Sequence, residues 1–82
     1  MDKCNLDCFK LVKATVSEWK EFLDQQTVAL TNRVIDHLMK NGYKCPYAIS
    51  SSLDSVLLMF EDCKKIIIGG GQILHNFDHL EI

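Results

Sequence analysis

The sequence predicts a mainly α-helical fold for this chain of 82 residues. From Leu6 to Asn41 there is no proline and no glycine, and apolar residues recur at spacings of three and four. Such spacing places them on one face of a helix. A second apolar run, residues 53–63, follows the only proline. The two runs predict a long helix and a shorter helix packed as an antiparallel hairpin, in a single helical domain spanning residues 1–82.

The first apolar stripe predicts one continuous helix of about nine or ten turns. Its phase continues through Asp24-Gln25-Gln26-Thr27, the polar stretch at which a break would come if there were two helices. Gln26 falls at a core position, where a polar side chain can set the register between helices. The apolar members of the stripe are Phe9, Val12, Val16, Trp19, Leu23, Leu30 and Val34.

Helix-terminating and helix-initiating signals separate the two runs. Asn41-Gly42 is typical of a helix C-terminus, and Pro46 prevents the helix from resuming. Ser51 and Asp54 approximate a capping box. We therefore expect the second helix from Ser52 to Lys65.

The second run is apolar on every side from Val56 to Phe60. A helix that is hydrophobic all round needs more cover than a single partner helix provides. We therefore expect a helical bundle that is completed by oligomerisation, as in a homodimer, or by docking on another protein. The predicted interface consists of the apolar stripe together with Val56, Leu57, Met59 and Phe60.

The glycine-rich segment near the C-terminus has two structural interpretations. Residues 66–68 and 72–77 could be short strands joined by a glycine turn, or a helix end followed by an extended tail. The segment also resembles the phosphate-binding turn of a dinucleotide-binding fold. Leu74, however, stands where that motif has glycine or alanine, and only eleven residues follow the glycines. The sequence favours a simple turn.

Composition and charge exclude several classes of protein. Hydrophobic residues make up 48% of the chain and charged residues 24%, as in an ordinary globular domain. A net charge of -2 gives no overall field that would attract nucleic acid. The polar N-terminus is unlike a signal peptide, and no apolar run approaches the ~20 residues of a membrane span. We expect an intracellular protein, in the cytoplasm or nucleus, whose four cysteines are thiols.

A zinc site is one chemical hypothesis. Cys4 and Cys8 form a C-x3-C pair and His75 and His79 an H-x3-H pair, and two thiolates with two imidazoles can make a closed tetrahedral site. Cys8 and His75 are 67 positions apart, however, far more than in a compact zinc finger. The sequence therefore favours no metal and no cofactor, with these four residues as the only candidate ligands.

A catalytic site is not indicated. Cys45 with His37 or His75 is the only combination resembling a nucleophile and its base, and nothing in the sequence marks the thiol as activated. We assign no catalytic residue and do not expect an enzyme.

The expected function is a non-enzymatic protein-interaction or oligomerisation module, an adaptor or small subunit that acts through the apolar faces of its helices. The main alternative is a small oligomeric nucleic-acid-binding protein of the double-stranded RNA type. Lysines on one flank of the first helix could follow a phosphate backbone, and a dimer would double their row. These lysines are Lys10, Lys13 and Lys20, preceded by Lys3. A small structural zinc-binding domain is the second alternative.

Overall fold

The computed structural model contains two helices and a four-stranded antiparallel sheet. It describes residues 3–52, 55–60 and 63–77, without the side chains of residues 3–6, 51 and 52. The elements are α1 (Lys3–Glu18), α2 (Gln25–Lys40), β1 (Tyr47–Ser52), β2 (Ser55–Met59), β3 (Lys65–Gly69) and β4 (Gln72–His75). The fold is therefore α+β, and the predicted mainly α-helical bundle is wrong.

The predicted long helix is interrupted between α1 and α2. A single 3-10 turn spans Trp19–Glu21, and the N–H groups of Phe22 and Leu23 both donate to the Trp19 carbonyl. The chain then reverses direction and α2 begins after Asp24. Each helix turns its own apolar face toward the sheet, so the spacing of three and four is found in both segments although they are separate helices. Gln26 is exposed in the first turn of α2, so it does not occupy the predicted core position.

The predicted second helix is also wrong, because this stretch forms β2 and the start of β3. Val56, Leu58 and Phe60 are buried, whereas Leu57 and Met59 between them are only partly buried. This period of two is that of a strand. Ser52 belongs to β1, and Asp54 of the supposed capping box lies outside the described residues. Every residue from Val56 to Phe60 is apolar because the strand carries apolar side chains on both of its faces.

The helices and the sheet form two layers around one core. The strand order is β1-β2-β3-β4 with every neighbouring pair antiparallel, and the helices contact β1, β2 and β3. The buried apolar side chains are Phe9, Val12, Val16, Leu23, Val34, Ile35, Leu38, Val56, Leu58, Phe60, Ile66 and Ile68. They come from both layers, as expected when an amphipathic helix layer covers one face of a sheet.

A two-residue glycine turn joins β3 to β4, so the strand-turn-strand interpretation of this segment is correct. Gly70 and Gly71 have φ values of 59° and 75°, and positive values at both central residues are typical of the tight type I′ hairpin turn. The Gly71 N–H donates to Thr27 Oγ1 at 2.9 Å, which fixes the turn against the start of α2. An antiparallel hairpin is incompatible with the strand-to-helix phosphate turn of a dinucleotide-binding fold.

The loop between α2 and β1 is fixed at both ends. α2 ends as predicted, with Asn41 as its C-cap and Gly42 at φ 76°. Farther along the loop, Cys45 forms a disulfide with Cys8 of α1. The expectation of thiols is therefore wrong for this pair, while Cys63 is a free, exposed cysteine. The disulfide ties α1 to the segment that leads into the sheet.

The two turn glycines predict a matched pair of stability changes. Alanine at either position requires a left-handed backbone, which costs about 1–2 kcal/mol. At Gly71 an added Cβ would also lie 2.9 Å from Gln26 Oε1 and 3.3 Å from Gln26 Cβ, whereas at Gly70 it meets nothing within 4 Å. Gly71→Ala should therefore lower the free energy of unfolding by ~1 kcal/mol more than Gly70→Ala, as Gln26 is forced from its rotamer. Equal losses in urea denaturation would contradict the docking of this turn on α2.

The disulfide predicts a redox-dependent stability. Cys8 and Cys45 are 37 positions apart, and closing a loop of that length stabilises a fold by about 4 kcal/mol in the chain-entropy treatment. In oxidising buffer, the double variant Cys8→Ala with Cys45→Ala should lose most of this free energy of unfolding. Reductant should lower the free energy of unfolding of the native chain to that of the double variant. Cys63→Ala is the control and should change neither value. A native chain equally stable with and without reductant would show that the pairing does not form.

Candidate interaction surfaces

The outer face of the sheet is the side that α1 and α2 do not cover. Ile49 of β1 lies opposite Leu57 of β2, and Leu57 lies opposite Ile67 of β3. Tyr47 lies opposite Met59 in a second row. Residues directly opposite each other on neighbouring strands project from the same face, so these five side chains share one surface. We call Tyr47, Ile49, Leu57, Met59 and Ile67 the outer-face patch.

The outer-face patch is apolar and accessible. Tyr47 is 70% exposed and Ile49 45%, while the other three side chains are partly buried by their neighbours. The rows end at Lys65 and at His75, which pair with Met59 and Ile67, and neither row contains an acidic residue in the described strands. Continuous apolar surfaces on soluble domains commonly mark interaction sites. This surface can bind a partner by excluding water.

Most of the predicted interface residues lie in the core of the chain itself. Trp19 and Leu30 pack against that core and are partly buried, while Leu57 and Met59 belong to the outer-face patch. The remaining predicted interface residues are buried, namely Phe9, Val12, Val16, Leu23, Val34, Val56 and Phe60. The apolar faces of the helices are thus occupied by the sheet.

Sequence reasoning missed three members of the outer-face patch. Tyr47 and Ile49 alternate with Ala48 and Ser50, a spacing of two that could have indicated a strand with one exposed face. Ile67 falls in residues 66–68, where the sequence indicates a short strand but not which of its side chains is exposed. Their common surface follows from the register between strands, which the sequence does not specify locally.

Two of the candidate metal and nucleophile cysteines form a disulfide. Cys8 and Cys45 are bonded to each other, so neither has a thiolate to offer to a metal or a substrate. The side chain of Cys4 and the whole of His79 lie outside the described residues. Within the described ranges, no group of three or more His, Cys, Asp or Glu side chains is arranged to hold a metal ion.

The predicted lysine row does not extend along a single helix. Lys10 is exposed on α1, and Lys13, one turn later, makes an ion pair with Asp36 of α2, Nζ to Oδ1 at 2.8 Å. Lys20 lies in the 3-10 turn, beyond the end of α1. The side chain of Lys3 is outside the described part of the chain. Among the described side chains of α1, the row consists of Lys10 and Lys13.

α2 brings further cations to the same end of the helix layer. Arg33, His37 and Lys40 recur at spacings of four and three, which places them on one face of α2. With Asp36 they line an open crevice of about 280 Å³. We call these four residues the basic crevice, and Lys13 reaches it from α1 through its ion pair with Asp36. The spacing of the four residues along α2 could have indicated this cluster, whereas the approach of Lys13 depends on the packing of α1 against α2.

No protein family, curated protein sequence or solved structure matches the chain. None of the described helices combines the length and the apolar composition required to cross a bilayer. The function therefore has to be argued from the two surfaces themselves.

The strand assignment of β2 predicts losses of stability of very different size at two adjacent leucines. Leu58 is fully buried in the core, so Leu58→Ala should lower the free energy of unfolding by about 2–5 kcal/mol. Leu57 points to the outer face, and Leu57→Ala should cost less than about 1 kcal/mol when measured on dilute protein. Urea denaturation of both variants measures the difference. Comparable losses at the two positions would contradict the alternation.

Proposed function

We propose that this chain is a non-enzymatic self-association domain in which two copies bind through their outer-face patches. The observation that supports this proposal is the register of Ile49, Leu57 and Ile67, which forms one apolar row across three strands. Neighbouring strands are ~4.8 Å apart, so the row is about 10 Å wide. Sheets pack face to face through such rows, with their side chains interdigitating.

The charge pattern favours a second copy as the partner. A two-fold interface requires a surface that is complementary to itself. The outer-face patch has apolar side chains at its centre, and the cationic Lys65 lies at the end of a row. Two copies can therefore meet without bringing charged side chains together at the centre of the interface. The polar groups of a polar partner would lose their hydration there without gaining compensating hydrogen bonds.

The apolar faces of the helices are not available for this function. Val16 of α1 and Val34 of α2 are fully buried beneath the sheet. Exposing them to a partner would require the two layers to separate. The proposed interface is therefore on the sheet, and the interaction through helices expected from the sequence is not retained.

The nucleic-acid alternative has weaker support. The row on α1 is short, and in a dimer formed through the sheets the two helix layers face away from each other. The rows of the two copies would then lie on opposite sides and could not follow one duplex. The zinc alternative is disfavoured by the bond between Cys8 and Cys45.

The proposal is tested by measuring mass in solution from about 1 μM to about 1 mM, the range over which an interface of modest affinity dissociates. The native chain should pass from monomer to dimer. Leu57→Asp places a charge at the centre of the outer-face patch and should weaken association by about tenfold or more. Tyr47→Asp is a second variant, chosen because the side chain is 70% exposed and contributes little to folding.

Leu11→Asp is the matched control. Leu11 is 67% exposed on α1, so the variant adds the same charge to an exposed apolar position away from the sheet. It should dimerise as the native chain does. A folded native chain that stays monomeric throughout the range, or two patch variants that dimerise normally, would refute the proposal.

A further inference from the structure

The solvent side of the helix layer has an uneven distribution of charge. At one end of this layer, the described side chains include four cations and two carboxylates, Asp7 and Asp36. The four cations are Lys10, Lys13, Arg33 and Lys40. At the other end, near the connection between the helices, lie Glu18, Glu21 and Asp24. A chain with a net charge of -2 thus has a local surplus of positive charge around the basic crevice.

The cations of the basic crevice are available to a ligand. Arg33 and Lys40 make no ion pair within the described part of the chain. The carboxylate of Asp36 is paired with Lys13. The carbonyl of His37, at the end of α2, already accepts from the Asn41 N–H at 3.1 Å and from Asn41 Nδ2 at 2.7 Å. The basic side chains nearby are therefore not needed to donate hydrogen bonds to this carbonyl.

The donor set suits a phosphoryl group. The guanidinium of Arg33 presents a planar fork that binds two phosphate oxygens at once, and Lys40 adds a mobile point charge. They lie seven residues apart, about 10 Å along the helix axis, with His37 between them. A crevice of about 280 Å³ has room for a phosphoryl group together with the atoms that carry it.

The same features argue against a nucleic-acid strand. The described residues that line the crevice include no Phe, Tyr or Trp side chain on which bases could stack, and they span two turns of α2. We infer that the basic crevice binds a phosphate monoester, carried by a small metabolite or by a phosphorylated side chain of another protein. Because it lies on the helix side of the domain, opposite the outer-face patch, this site does not depend on the proposed self-association.

The inference is tested by titrating the full chain with inorganic phosphate, O-phosphoserine and a short phosphoserine peptide, following the backbone amide resonances by NMR. Saturable shifts should be confined to residues 33–40 of α2 and the adjoining turn of α1. Arg33→Gln with Lys40→Gln should weaken binding by about tenfold or more, because two charge-assisted interactions are lost. Asp36→Asn should strengthen it severalfold, since it removes a carboxylate and frees Lys13.

Lys20→Gln with Lys65→Gln is the matched control, because it also removes two positive charges but at positions outside the crevice. It should leave the affinity for phosphate within about twofold of the native value. Leu57→Asp should bind phosphate as the native chain does, which separates this inference from the proposed function. Tighter binding of the peptide than of inorganic phosphate would identify a phosphoprotein as the source, and equal binding a small metabolite.

Three outcomes would overturn the inference. One is the absence of saturable shifts with any of the three probes. Another is an equal loss of affinity in the control variant, which would indicate only a general charge effect. The third is tighter binding of duplex RNA than of any probe, weakened by Lys10→Gln with Lys20→Gln, which would assign the surface to nucleic acid.

Discussion

The organisation of this domain depends on one constraint: two helices of sixteen residues can cover only one face of a four-stranded sheet. Ile66 and Ile68 of β3 are fully buried beneath the helix layer, whereas Ile67 between them faces outward. The described chain provides no second layer for the other face. The reversal between α1 and α2 is part of the same constraint, because a single straight helix would cross the sheet and leave half of its apolar stripe in water.

The local features of the sequence predicted local structure well. The residues of the apolar stripe lie in the core or pack against it, and α2 ends at its C-cap, Asn41. The first of the three glycines ends β3, and the other two form the turn to β4. Each depends on residues within a few positions of one another. The predicted continuity of the long helix was wrong because periodicity shows which face of a segment is apolar, and two shorter helices that each turn an apolar face to the sheet have the same spacing of three and four.

The second helix was wrong for a different physical reason. From Val56 to Phe60 every residue is apolar, so the run contains neither the period of a helix nor that of a half-exposed strand. Alternation appears only in the burial, where Leu58 is enclosed and Leu57 is not. The outer-face patch was missed because it is made by three strands whose pairing the sequence does not specify locally. The four residues of the basic crevice, in contrast, lie on α2 at spacings that could have indicated a cluster. Ile49 meets Leu57 through the strand register, and Lys13 reaches Asp36 of the basic crevice only after α2 has packed against α1.

The edges of the sheet bear on the proposal that its outer face is the binding surface. An unpaired edge strand can accept another strand, and proteins commonly protect such edges with proline, bulges or short strands. Pro46 immediately precedes β1, and the register of β1 shifts between Ser50 and Ser52. β4 at the opposite edge has four residues and a shift of its own, between the partners of Ile67 and Ile68. Both edges are thus poorly suited to extend the sheet, while Ile49, Leu57 and Ile67 form a regular row across its face. The proposed association through the face would leave the basic crevice accessible on the opposite side, so the two proposed interactions do not compete for one surface.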